Sequence, residues 1–174
     1  MTRVPLKIIT FGALLLAAGQ AFAIPSADQS FATAAASGAL AQVQMGQIAQ
    51  QLATSEQAKL LGEQMVIDHG KANQELELIA KSQNLTLPTQ PNSAQSATIM
   101  SLQSLRGTRF DKAYAEVLTS DHQDQIALFQ TEAYFGEDPQ LKAFAQKYLP
   151  VLQGQMQNAA ELNKASLKAS LSGY

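Results

Sequence analysis

Both histidines of the chain directly follow an aspartate, in Asp68-His69 and Asp121-His122. A carboxylate beside an imidazole is the side-chain stock from which metal centres are made. Two glutamines, Gln42 and Gln155, belong with them, because polar residues here interrupt apolar stripes of helical spacing. Gln42 follows Phe31, Ala35 and Gly38 and precedes Met45 and Ala49. Asp68 lies between Met65 and Ala72, Asp121 between Val117 and Leu128, and Gln155 between Leu152 and Ala159. On helices these spacings put one polar side chain per helix on the core face. His69 and His122 then fall about 100° further round, at the edge of each stripe.

Two chemistries fit such a layer. Two carboxylates and two imidazoles at one level could bind iron, manganese or zinc, and Met45, Met65 or Met156 nearby would extend the choice to copper. Alternatively the layer is structural: buried polar groups that satisfy one another and fix helix register without a cofactor. The di-iron pattern of Glu-x-x-His is missing, since Val66 and Thr119 stand three residues before the histidines. Glu132, three turns from Asp121, reads as a solvated or capping residue. No Gly-rich phosphate loop, His-Glu-x-x-His or paired zinc motif is present, so the balance leans away from an enzyme.

The elements that must position these residues are helices. The first is expected over 26–53 and the second over 56–83, capped by Thr54-Ser55. Pro88 and Pro91 forbid regular helix in the connector that follows, and a short helix is expected over 93–105. A third long helix is predicted over 109–135, stopped by Gly136 as a C′ residue. Asp138-Pro139 opens the fourth, with Pro150 inside it and a frayed tail beyond Ala165. Short turns make helices one and two, and three and four, antiparallel hairpins. The middle connection, 84–108, is far longer than is usual between bundle helices. The expected fold is therefore all-α, a ferritin-like four-helix bundle with a long crossover between helices two and three.

Residues 1–23 read as a signal peptide: Arg3 and Lys7, an apolar run over 8–18, then Ala21-Phe22-Ala23. The expected domain is 24–174, exported to the periplasm or secreted, with no transmembrane span after cleavage, because the apolar run is shorter than the roughly 20 residues a span requires. There is no Cys, hence no disulfide and no lipid-bearing cysteine. With a net charge of −2 and no basic patch, nucleic acid is excluded as a partner, whereas a protein of the cell envelope is a natural one.

Several short motifs, spread over nearly the whole of 24–174, also carry a resemblance. They are Met65-Val66-x-Asp68-His69-x-Lys71-Ala72-Asn73, Leu85-Thr86-Leu87-Pro88, Phe110-Asp111-Lys112-Ala113-Tyr114, Asp121-His122, Asp138-Pro139 and Leu149-Pro150-x-Leu152-Gln153. Together they resemble a group of secreted bacterial proteins of unknown function, often labelled outer-membrane proteins and thought to be ferritin-like. The resemblance implies the fold and no settled reaction. It also implies a Glu near Gln42 or Gln44 and a His where Gln155 stands, so this chain would bind metal more weakly than its relatives. Helical periodicity throughout does not suit a transmembrane barrel, which needs alternating strands.

Overall fold

A computed structural model describes residues 26–172, with side-chain surroundings for 27–168; the expected signal peptide lies outside the described residues. Five helices, and no strand among the described residues, make the protein all-α: α1 Ser26–Leu52, α2 Glu56–Gln83, α3 Ser93–Gln103, α4 Thr108–Phe135 and α5 Pro139–Ser172.

Local chemistry sets their ends. The Ser55 hydroxyl accepts from Ala58 N at 3.2 Å and starts α2. Asn84, in the left-handed region at φ 57°, stops it and donates its N–H to the Ala80 carbonyl. Asn92 and Gln95 form a reciprocal capping box at α3. Asp138 Oδ1 accepts from Gln140 N and Leu141 N, with Pro139 at the first helical position. Gly136 stops α4 but not in the expected left-handed conformation. It takes φ −55° and ψ 137°, which leads directly into the Asp138 cap. The tail of α5 differs from expectation too, since the helix continues past Ala165 to Ser172.

α1 packs along α2 and α4 along α5, and the two hairpins meet through α1 against α4 and α2 against α5. The first hairpin is unusually close. A Cβ at Gly46 would lie 2.5 Å from the Gly62 carbonyl oxygen, and one at Gly62 would lie 2.7 Å from that of Gly46. Only two glycines allow these backbones to touch.

A carboxylate from each hairpin's first helix closes the other hairpin's turn. Asp28, 1% exposed at the start of α1, accepts from the N–H groups of Glu137 and Asp138. Asp111, 4% exposed at the start of α4, accepts from Thr54 N, Thr54 Oγ1 and Ser55 N at 2.6–2.9 Å. Residues 28, 54 and 55 thus have counterparts at 111, 137 and 138, the same shift of 83 each time. Phe31 and Tyr114, Gln42 and Gln125, and Leu61 and Phe144 keep that shift, so the hairpins are structural repeats. The clasps also fix direction. The start of α1 lies beside the α4–α5 turn and the start of α4 beside the α1–α2 turn, so 84–107, carrying α3, runs from one end of the molecule to the other.

Two apolar clusters fill the core. One includes Met45, Met65, Tyr114 and Leu118, the other Phe31, Leu76, Phe129 and Phe144. His69, His122 and Gln155 each stand, in sequence, between a residue of one cluster and a residue of the other.

Candidate metal centre

The site is built from three helices. His69 on α2 and His122 on α4 meet at 5.7 Å between ring centroids, edge to face. Gln155 on α5 reaches both, with Oε1 3.2 Å from His69 Nε2 and 3.1 Å from His122 Nε2. The same amide donates from Nε2 to Asp68 Oδ2 at 3.0 Å. His122 Nδ1 lies 2.9 Å from the carbonyl of Leu118, one turn earlier on its own helix. A cavity of about 20 Å³ borders the layer, lined by His69, Gln155, Leu152 and Tyr148 among others. That is room for about one water or one ion.

Sequence placed the aspartates on the core face and the histidines at its edge; the structure reverses this. His69 is 5% and His122 0% exposed, whereas Asp68 and Asp121 are only half-buried. A neutral imidazole loses far less on leaving water than a carboxylate does, so the helices rotate to bury the ring. Gln42 and Gln155 are buried as expected, at 0% and 1% exposure. The four candidate ligands do not share one point. Asp68 joins the imidazoles only through Gln155, and Asp121 instead accepts from Gln42 Nε2 at 3.3 Å, on the side toward α1. Among the described residues no three His, Asp or Glu side chains are grouped to hold a metal ion. Nor are the two Asp-His dipeptides repeat equivalents: the shift of 83 puts Asp121 opposite Gly38 and His69 opposite Leu152.

Electrostatics keep both rings neutral. Burial, reinforced by the charge His122 would carry, lowers the pKa of His69 to about 3, against a small opposing effect of Gln155. Burial likewise pushes His122 down. Neutral rings leave this hydrogen-bond set short of donors. Gln155 Oε1 and the Leu118 carbonyl are both acceptors, and a neutral His122 has one N–H to offer between them. Turning the Gln155 amide over would present N–H groups to both rings but set its oxygen against the Asp68 carboxylate. The set closes if a cation takes the two Nε2 lone pairs and the amide oxygen. His122 Nδ1–H then donates to Leu118, the outer bond that commonly orients a ligating imidazole, and Gln155 Nε2–H holds Asp68.

Three further carboxylates are buried away from the layer, at Asp28, Asp111 and Glu132. Asp28 and Asp111 act on turns far away in sequence, and the repeat that pairs them was the signal available. Glu132 is no solvated residue: it is 4% exposed, and its Oε1 has no hydrogen-bond partner. Burial first, then the charges of Asp28 and Asp138, raise its pKa to about 7, with Lys142 opposing.

A family model described as a domain of unknown function, DUF4142, matches residues 14–162. The chain belongs to this family. That range takes in every residue of the layer and both clasping aspartates. No curated protein and no solved structure matches the chain. Membership therefore brings no assigned reaction, and no helix among the described residues is long and apolar enough to cross a membrane.

Proposed function

We propose that this family member is an exported, non-catalytic, ferritin-like four-helix bundle that holds a divalent transition-metal ion weakly, in envelope or stress protection. The bundle reading is supported by two antiparallel hairpins joined by a connection that runs the molecule's length. Export rests on the basic, apolar and small-residue pattern of residues 1–23.

The metal reading is carried by one observation: two imidazole Nε2 atoms from different helices lie 3.1–3.2 Å from a single amide oxygen. Donor atoms each 2.0–2.1 Å from one tetrahedral zinc stand roughly 3.3–3.4 Å from one another, close to these separations, so small side-chain shifts would let all three share an ion. Two nitrogens and one neutral oxygen favour zinc or a similar borderline ion over manganese, which prefers carboxylates. With no carboxylate bound directly the affinity is low. The ligands are His69, His122 and Gln155, with Asp68 orienting the amide.

Titrating tag-free protein with Co²⁺ and Zn²⁺, read by cobalt absorption and by calorimetry, tests this. About one equivalent should bind, His69→Ala and His122→Ala should abolish it, and Gln155→His should tighten it at least about tenfold. Less than about a tenth of an equivalent in the wild type would sink the reading. A second reading, an envelope interaction protein, draws on exposed apolar side chains: Tyr134 and Phe135 at the end of α4, and Leu60 and Leu78 on α2. Stoichiometric metal with no partner recovered from envelope extracts would count against it.

A further inference from the structure

We propose that α2 pairs along its outward face with α2 of a second copy of this chain, antiparallel about a twofold axis. Leu60, Ile67 and Leu78 on that face are 44–70% exposed. Their spacings of seven and eleven residues bring them within about 20° of one another round the helix, so they form one stripe. The stripe is particular to α2. The shift of 83 that relates the hairpins puts Ala143, Pro150 and Glu161 at the corresponding positions of α5, all three exposed. An outward helix face in this bundle therefore has no need of large apolar side chains, yet α2 carries three.

Charge indicates what covers the stripe. Glu56 and Glu63 flank it in the first half of α2, and Lys71 and Lys81 in the second. All four are exposed, and none is in an ion pair among the described residues. A second α2 laid parallel would set like charge against like. Laid antiparallel, with the axis level with residue 69, it sets opposites together. Leu60 then meets the partner's Leu78, and Glu56 lies across from the partner's Lys81. Ile67 packs on the aliphatic stem of the partner's Lys71, and Glu63 comes within about one turn of that ammonium. At the rim, Lys59 and Glu77 match in the same sense. Leu60 also borders a groove of about 410 Å³ with Leu61, Gln64 and Asn158, a recess for the partner's Leu78. Each contact occurs twice, as twofold symmetry requires.

The 28 residues of α2 span about 42 Å, and a face about 10 Å wide gives about 400 Å² per partner. That is about half of a standard interface, so the dimer is weak and forms with concentration. This surface shares no residue with the imidazole layer, and the two stand or fall separately.

Sedimentation equilibrium of the tag-free full chain should show a monomer–dimer equilibrium at concentrations up to about 500 µM. Ile67→Lys, which sets a second ammonium against the partner's Lys71, should weaken it at least about tenfold. Glu56→Lys should weaken it too, and adding Lys81→Glu should restore it. The chain has no cysteine, so mild oxidation reads the direction of pairing. Leu60→Cys mixed with Leu78→Cys should give a disulfide-linked dimer. Either variant alone should give little, because two copies of residue 60 would stand about 27 Å apart. Every substituted side chain is exposed, so each variant should fold as the wild type does, checked by circular dichroism. A chain that stays monomeric throughout that range overturns the proposal. So does equal cross-linking by either cysteine variant alone, the mark of parallel or unspecific contact, and so does a second charge reversal that fails to rescue the first.

Discussion

At the scale of single residues, the polar groups in this core differ in how completely they are satisfied. Asp28 and Asp111 have their hydrogen bonds, whereas Glu132 lies buried with an oxygen unpaired and two carboxylates for company. Such a group tolerates burial best when protonated. Its pKa, raised from 4.5 to about 7, makes its contribution fully favourable below about pH 4.5 and loses it as pH rises through 7. Asp28 faces it from α1, Asp138 from the turn and Lys142 from α5. The expected outcome is a melting temperature that falls by a few degrees between pH 5 and pH 8, measured by circular dichroism. Glu132→Gln, neutral at every pH, should flatten that fall; a variant with the wild-type slope would show that another group sets it.

At the scale of elements, most of the fold is legible in local chemistry. Ser55 and Asp138-Pro139 mark helix starts in the sequence, and α2 has the limits its apolar spacing predicts. Rotation about the axis is less legible. Neighbours such as Asp68 and His69 differ by about 100°, and only the cost of burying a carboxylate decides which turns inward. The Gln42–Asp121 and Gln155–Asp68 contacts join residues 79 and 87 apart, which no local pattern reveals. The closeness of α1 to α2 is likewise a matter of two separate glycines. Gly46→Val would force its side chain against the Gly62 carbonyl and Met65. It should destabilise the protein by about 1–3 kcal/mol in urea unfolding. The same change at Gly70, where an added Cβ meets nothing within 4 Å, serves as control. It should leave stability unchanged or raise it by a few tenths of a kcal/mol, because valine is the better helix former. Equal effects at both positions would mean that the close approach is not what Gly46 provides.

At the scale of the molecule, the two clasps make each hairpin depend on the other. The α1–α2 turn presents Thr54 N and Ser55 N to a carboxylate on α4, and the α4–α5 turn presents Glu137 N and Asp138 N to one on α1. Neither hairpin alone supplies the buried carboxylate that accepts from its turn, and a hydrogen bond to a charged group contributes about 1.5–3 kcal/mol. The hairpins should therefore unfold together. Asp111→Ala removes three hydrogen bonds at one end, an expected loss of about 2–4 kcal/mol because the acceptor is charged. For a domain of this size that lowers the melting point by about 5–15 °C. In native-state hydrogen exchange, the slowest amides of α5, in the hairpin that keeps its own clasp, should lose as much protection as those of α2. Since α5 has no contact with Asp111 in these hydrogen bonds, an equal loss can reach it only through a shared global opening. Should α5 keep its protection while α2 loses it, the clasps would be local fasteners on two independent hairpins, and the imidazole layer spanning both would lose its rigid frame.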